Sequence, residues 1–445
     1  MGKGLAAILD NNRPDDTVIT WRAKQVFTLK EFRNSILQLI ALLSIHPQQR
    51  WALYFEDAYY FTVAFLALLY CGKTPVLLGY LKPAVLKEQQ DQFDAVLTDL
   101  SLLEESFVII NTTQLDNHSM VKLPVWPKQQ YLVLFTSGST GSPKPIHKAI
   151  DLLVIESQLL LENFGEKLKQ TKLVATVSHQ HLYGLTFRII LPLLAGIPFN
   201  ADMIRYHEQL QVYQQQPLVV VSSPAFLKRL DKTLAVVDCK LVFSAGGALT
   251  YEQAQQVKKS FNLLPQEIYG SSESGIVATR VQSIINQYWQ PFGGIHIIQN
   301  EDHSISVKSP HCEEQLLQLA DRIKLVDNGF ELLGRKDNIV KIEESRVSLS
   351  LVERRLKNLP AISEAVVLVL QIPQQTALGA VLVLSKEGKK QLALQGSVIL
   401  FRSLRQQLKE WLELIAIPKR WRIVEELPQN TQGKIIYPEL QELFR

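Results

Sequence analysis

Nine residues, Thr136-Ser-Gly-Ser-Thr-Gly-Ser-Pro-Lys144, combine hydroxyls, glycines and a closing lysine. A loop of that composition turns several backbone N–H groups towards one point, and the hydroxyls of Thr136, Ser137, Ser139 and Thr140 add donors. Gly138 and Gly141 give the backbone the freedom to do so, and Lys144 adds a point charge. This is an anion nest, and its natural ligand is a phosphate chain. It is not a Walker loop, because Gly-Lys-Ser/Thr does not follow the second glycine. A plain surface linker is the other reading. Linkers seldom stand directly behind a buried strand, which is how the apolar run Tyr131-Leu-Val-Leu-Phe135 reads.

Further groups with chemistry are spread along the chain. Tyr269-Gly-Ser-Ser-Glu-Ser-Gly275 follows the strand-like Gln266-Glu-Ile268. A carboxylate there, Glu273, is placed to hold a magnesium ion against phosphates. In Ser244-Ala-Gly-Gly-Ala-Leu249, Gly246 and Gly247 let a flat ligand approach the backbone, although an ordinary strand-to-helix turn has the same composition. His179 and His181 form a pair without an evident third ligand, so no zinc site is indicated. Asp321 can accept two hydroxyl hydrogen bonds. Lys434, in Leu427-Pro-Gln-Asn-Thr-Gln-Gly-Lys434, puts a mobile charge on a glycine-containing loop.

In this order the segments resemble the motifs of the adenylate-forming superfamily, which comprises acyl- and aryl-CoA synthetases, peptide-synthetase adenylation domains and luciferases. The resemblance implies that loop 136–144 binds the phosphates of ATP. It places Tyr269 against the adenine, Gly246 and Gly247 along the adenine and acyl pockets, Gly270 on the nucleotide, Ser272 on phosphate and magnesium on Glu273. It also places His181 at the substrate carboxylate, Asp321 on the ribose and Arg335 on ribose and phosphate. Asp337 would be the hinge of a small mobile domain and Lys434 the lysine of the adenylation step. Two departures stand out: Leu319-Ala-Asp-Arg322 replaces Thr-Gly-Asp, and Glu344 replaces a glycine in the loop that lines the thiol channel. Amino-acid-activating members carry an aspartate near the histidine segment. None stands between His181 and Arg188, so an acid without an α-amine is favoured.

The elements that position these residues alternate. The box Thr28-Leu-Lys-Glu31 and the stripe Phe32, Ile36, Leu39, Leu43 predict a helix. Strands are expected at 51–55, 75–78, 107–110, 173–177, 218–222 and 241–245, with helices after Asp57, at 150–161 and at 250–261. That order predicts an α/β fold: helix-covered sheets in a large N-terminal domain, residues 1–337, and a small mobile α+β domain, residues 338–445. In the latter, strands are expected at 365–370 and 380–384 and a helix at 398–414.

The bulk numbers agree with a soluble cytoplasmic enzyme. Of 445 residues 47% are apolar and 20% charged, and no apolar run is long enough to span a bilayer. Three scattered cysteines make neither a disulfide framework nor a CxxC site. The net charge of +4 is too small for a nucleic-acid protein. It is unevenly placed: residues 338–445 hold 16 basic and 11 acidic side chains. That excess suits an acidic acyl carrier protein. The expected reaction is ligation of a small aryl or fatty acid to a phosphopantetheine thiol, using ATP and Mg2+. The thiol belongs to a carrier protein in fatty-acid or aryl-polyene assembly, or to free coenzyme A. A non-catalytic nucleotide- or acyl-adenylate-binding homologue is the remaining alternative.

Overall fold

The computed structural model describes all residues except 1–3, 10–12, 80–82, 102–107, 115–121, 138–142, 215, 286, 302–303, 336–338, 343–344, 373–374, 429–436 and 445. The chain forms two compact units. The first comprises Met1–Leu81, Leu86–Phe135 and Pro145–Gly334; the second comprises Lys82–Val85, Thr136–Lys144 and Arg335–Arg445.

In the first unit, Thr28 and Glu31 form the expected capping box of the helix Leu29–Ser44, and the stripe Phe32, Ile36, Leu39, Leu43 is buried. Asp57 caps Ala58–Tyr70 by accepting from the N–H groups of Tyr59 and Tyr60. A six-stranded sheet has the spatial order Val108–Asn111, Ala95–Thr98, Arg50–Tyr54, Thr74–Leu77, Tyr131–Ser137, Pro143–Ala149. Its first five strands are parallel. The glycine-rich loop therefore joins two neighbouring strands. The strand Pro143–Ala149, which is not among the expected elements, stands between the loop and the helix Ile150–Leu168, itself longer than the expected 150–161.

A nine-stranded sheet supplies the frame of the site. Four of its strands, Lys172–Ala175, Leu218–Ser222, Cys239–Ala245 and Gln266–Ser271, lie side by side and parallel. Their apolar runs are buried, as strands covered on both faces must be. Gly275–Arg280 returns antiparallel along Gln266–Ser271. A separate four-stranded sheet contains Leu317–Val326.

The second unit is α+β. Ile362–Ile372 pairs antiparallel with Gln375–Leu384, which pairs parallel with Arg420–Val424. The helices Leu349–Lys357 and Lys386–Leu408 pack Val352, Leu356, Leu400, Leu404 and Leu408 into its core. The second helix kinks at Gly396, whose φ is +76°. It starts earlier than the expected 398–414 and ends at Leu408, where a further turn at Leu414–Ala416 is separate. Among the described residues no helix is long and apolar enough to cross a membrane.

Candidate active site

Parallel strands end together, and their C-terminal edge is where open α/β sheets bind ligands. Three of the predicted segments leave the nine-stranded sheet at that edge. The segment with His181 follows Lys172–Ala175, Gly246 and Gly247 follow Cys239–Ala245, and Tyr269, Gly270, Ser272 and Glu273 close Gln266–Ser271. Parallel pairing of the strands, rather than any one motif, brings these residues to one side.

His181 is the N-cap residue of a short helical turn, Leu182–Gly184, which runs into a π-helical turn, Leu185–Ile190. Its side chain is exposed to solvent, yet the protein packed around it lowers its pKa by desolvation. A Cβ at Gly79 would lie 3.6 Å from its Cε1, so the ring rests over the end of the strand Thr74–Leu77 in the other sheet. Gly184 has no alternative: a Cβ there would stand 1.9 Å from the carbonyl oxygen of Ser178. The Tyr183 hydroxyl donates to the Ser222 carbonyl at 3.0 Å, tying this turn to the next strand end. Beneath it, Arg188 is buried. Its Nη1 donates to the Val177 carbonyl and to His179 Nδ1, and its Nη2 to the Ala201 carbonyl at 2.8 Å. Burial lowers its pKa to about 10. Burial, then the charge of Arg188, holds the His179 pKa well below the usual range, and the neutral ring donates through Nε2 to the Phe55 carbonyl. His179 is thus a packed, fully used side chain and not half of a metal pair.

The turn at 246–249 is held by a buried ion pair that the sequence motifs do not reveal. Glu267 has no exposed surface, and Arg280 Nε and Nη2 donate to its two oxygens at 2.8 and 3.2 Å. Glu267 also accepts from the Leu249 N–H at 2.7 Å, while Arg280 and Gln282 donate to the Leu249 carbonyl. Arg280 lies 4.4 Å over the Trp289 ring. The only signal in the sequence is opposite charge 13 residues apart, which becomes a contact through the antiparallel register Glu267↔Arg280. Gly246 has φ +89°, a conformation that favours glycine.

Tyr269 is buried with its ring against Trp289 and Phe330. In the following turn the Ser271 and Ser274 hydroxyls bond each other at 3.1 Å, and each accepts from the other residue's N–H. Ser272 is half-buried and Glu273 exposed. One carboxylate with a neighbouring hydroxyl fits a magnesium ion that arrives on phosphates and keeps several waters. Among the described residues no group of three His, Cys, Asp or Glu could form an independent cage.

The remaining expectations fall elsewhere. Asp321 is buried in Leu317–Val326 on the face of Leu319 and Ile323. Lys144 is exposed on the strand Pro143–Ala149. Thr136 and Ser137 end the strand Tyr131–Ser137 and Arg335 ends Gly329–Arg335, with only their backbones described. Gly138, Ser139, Thr140, Gly141, Asp337, Glu344 and Lys434 lie outside the described residues.

Residues 81–301 match the model of the AMP-binding enzyme family. The chain is 25% identical over 322 residues to a 4-coumarate–CoA ligase of Halorhodospira halophila, covering 68% of this chain and 74% of the relative. It is 22% identical to a D-alanine–D-alanyl carrier protein ligase of Staphylococcus epidermidis, over 80% of this chain and 78% of the relative. Of a linear gramicidin synthase from Brevibacillus parabrevis it spans only 6%, at 20% identity. The fold is that of the o-succinylbenzoate CoA synthetase of Bacillus subtilis, with a TM-score of 0.80, 16% identity and 96% of each chain covered. Residues 81–301 are therefore an AMP-binding enzyme domain, and the chain is an AMP-forming ligase of the acyl-CoA synthetase-like kind.

The ion pair at the strand end gives a direct test. Arg280→Met leaves the Glu267 carboxylate buried without its counter-charge and should cost about 3–5 kcal/mol in urea unfolding. Arg280→Lys keeps the charge but not the fork, so its loss should be smaller. Equal stability of Arg280→Met and the wild type would refute the role given to the pair.

Proposed function

We propose that the chain activates an aryl or fatty acid with ATP and passes the acyl group to a phosphopantetheine thiol, that of an acyl carrier protein in preference to free coenzyme A. The observation that carries this reading is the meeting of His181, the 246–249 turn and Glu273 at one sheet edge in a chain of the AMP-binding family.

The acid's carboxylate attacks the α-phosphorus of ATP, the bond to the bridging oxygen breaks, and acyl-AMP and pyrophosphate result. His181 borders the carboxylate. The main chain at Gly246 and Gly247, with Tyr269 and Gly270, receives the adenine, and Asp321 and Arg335 take the ribose. Loop 136–144, with Thr136 at its start, holds the outer phosphates, and Lys434 covers the charge that develops on transfer. Magnesium on Glu273 would neutralise the polyphosphate. A turn at Asp337 then removes Lys434, the thiol attacks the carbonyl carbon, and AMP leaves. The D-alanyl carrier protein ligase among the relatives supports a carrier as acceptor, and the missing aspartate between His181 and Arg188 supports an acid without an amine.

The C-terminal unit supports the carrier further. Residues 402–422 hold six basic and two acidic side chains. Val398, Phe401, Arg402, Arg405, Lys409 and Trp421 line a recess of about 420 Å³, floored by the stacked rings of Phe401 and Trp421. Val398 and Ile399 are exposed beside it. An apolar slot ringed by cations complements an acidic helix with one apolar anchor.

Two outcomes are expected. Lys434→Ala should lower ATP–pyrophosphate exchange by about 10²-fold or more and spare thiol transfer from a supplied acyl-adenylate; equal loss in both steps would remove Lys434 from the adenylation step. Charge reversal at Arg402 and Arg405 together with Lys419, Arg420 and Arg422 should slow carrier loading, measured by intact mass, and leave exchange and coenzyme A acylation unchanged. A response of the coenzyme A assay alone would reject the docking face.

A further inference from the structure

The turn that carries Glu273 is gripped from behind at four main-chain groups between Glu273 and Ile276. Lys148, on the strand Pro143–Ala149, is 2% exposed, and its Nζ donates to the main-chain carbonyl of Glu273 at 3.2 Å. The Cys312 thiol donates to the Ser274 carbonyl at 3.2 Å. Glu156, 2% exposed on the helix Ile150–Leu168, accepts from the Ile276 N–H at 3.0 Å. His311, with no exposed surface, donates through Nε2 to the Ile276 carbonyl at 2.8 Å and bonds the Ser309 hydroxyl through Nδ1. Between them Gly275 has φ +65°, and a Cβ on it would stand 2.9 Å from His311 Cδ2 and 3.1 Å from Glu156 Cδ. The grip leaves no slack.

The charges also sit together. Burial raises the pKa of Glu156, and the charge of Lys148 pulls it back. Burial lowers the His311 pKa to about 4, so its ring is neutral at pH 7 and keeps one nitrogen as donor. Water would satisfy the carbonyls of a surface turn at no cost. Here a lysine and a glutamate are desolvated to do it, which costs several kcal/mol per ion unless recovered. What the arrangement secures is the place of one carboxylate. Magnesium demands near-ideal octahedral geometry, and a displacement of about 1 Å in a positioning group can cost about 10²-fold.

We propose that Lys148 is a positioning residue: with Glu156 it holds the main chain at Glu273 so that the exposed carboxylate meets the metal–nucleotide at one fixed point. The proposal rests on the reading of Glu273 as the metal ligand. Lys148 touches neither nucleotide nor metal; it acts through the carbonyl next to the side chain that does.

The test is Mn2+ binding in the presence of saturating ATP, read from the electron paramagnetic resonance of free Mn2+, with thermal midpoints measured in parallel. Glu273→Gln should abolish the ATP-dependent Mn2+ site. Lys148→Met should raise the half-saturating Mn2+ concentration by about 10-fold, the lower end of what outer partners of metal ligands contribute. Lys148→Arg, which keeps a cationic donor, should recover part of the loss. Glu156→Gln keeps an acceptor for the Ile276 N–H and removes the charge facing Lys148; it should shift Mn2+ binding in the same direction by less. It carries the test if Lys148→Met does not fold. If Glu273→Gln binds Mn2+ as the wild type does, the metal assignment fails and the proposal with it. If Glu273→Gln loses Mn2+ while Lys148→Met or Glu156→Gln lowers only the thermal midpoint, the grip is structural and the proposal alone is overturned.

Discussion

A carboxylate without any exposed surface, Glu267, sits near the start of Gln266–Ser271, the strand whose far end carries Tyr269 to Glu273. Removing it from water is tolerable only because Arg280 takes both its oxygens. The consequences spread outwards. The pair fixes Leu249 by both its main-chain groups, and so the glycine turn 246–249. It locks the return strand Gly275–Arg280 onto Gln266–Ser271, and so the turn with Ser272 and Glu273. It seats Arg280 on Trp289, against which Tyr269 packs. Two segments some 25 residues apart in the chain are thereby set by one interaction.

The same design recurs around His181. Arg188 is buried and spends its donors on main-chain carbonyls and on His179, while Tyr183 ties the turn to Ser222. In each case an ionisable group under the sheet edge holds backbone, and the side chain offered to solvent stands a few residues away. Such pairing suits a transfer in which positioning and electrostatics do most of the work. The C-terminal unit is organised differently, with an ordinary apolar core and most of its described cations outside, Arg355 being the buried exception.

Much of this was legible in the sequence. Continuous apolar runs marked the parallel strands because those strands are covered on both faces, and Thr28 with Glu31 marked the first helix start by a local, reciprocal bond. Pro143–Ala149 was not legible. It has two prolines, two lysines and a histidine, yet it lies at the edge of its sheet, where missing N–H donors are tolerated. The long C-terminal helix was misplaced because Gly396 breaks it and most of 393–399 is exposed. Glu267, Arg280, Arg188 and Lys148 escaped because a buried charge looks like a surface charge until the fold brings its partner to it, by strand register for Glu267 and Arg280 and by turns and helix packing for the other two.

The central claim is the chemistry at the sheet edge, and isotope exchange between pyrophosphate and ATP tests it most directly. Over a panel of aryl and fatty acids, exchange should appear with particular acids only, and AMP should be the nucleotide released when a thiol is supplied. ATP binding without exchange for any acid, or release of ADP and phosphate, would contradict the account.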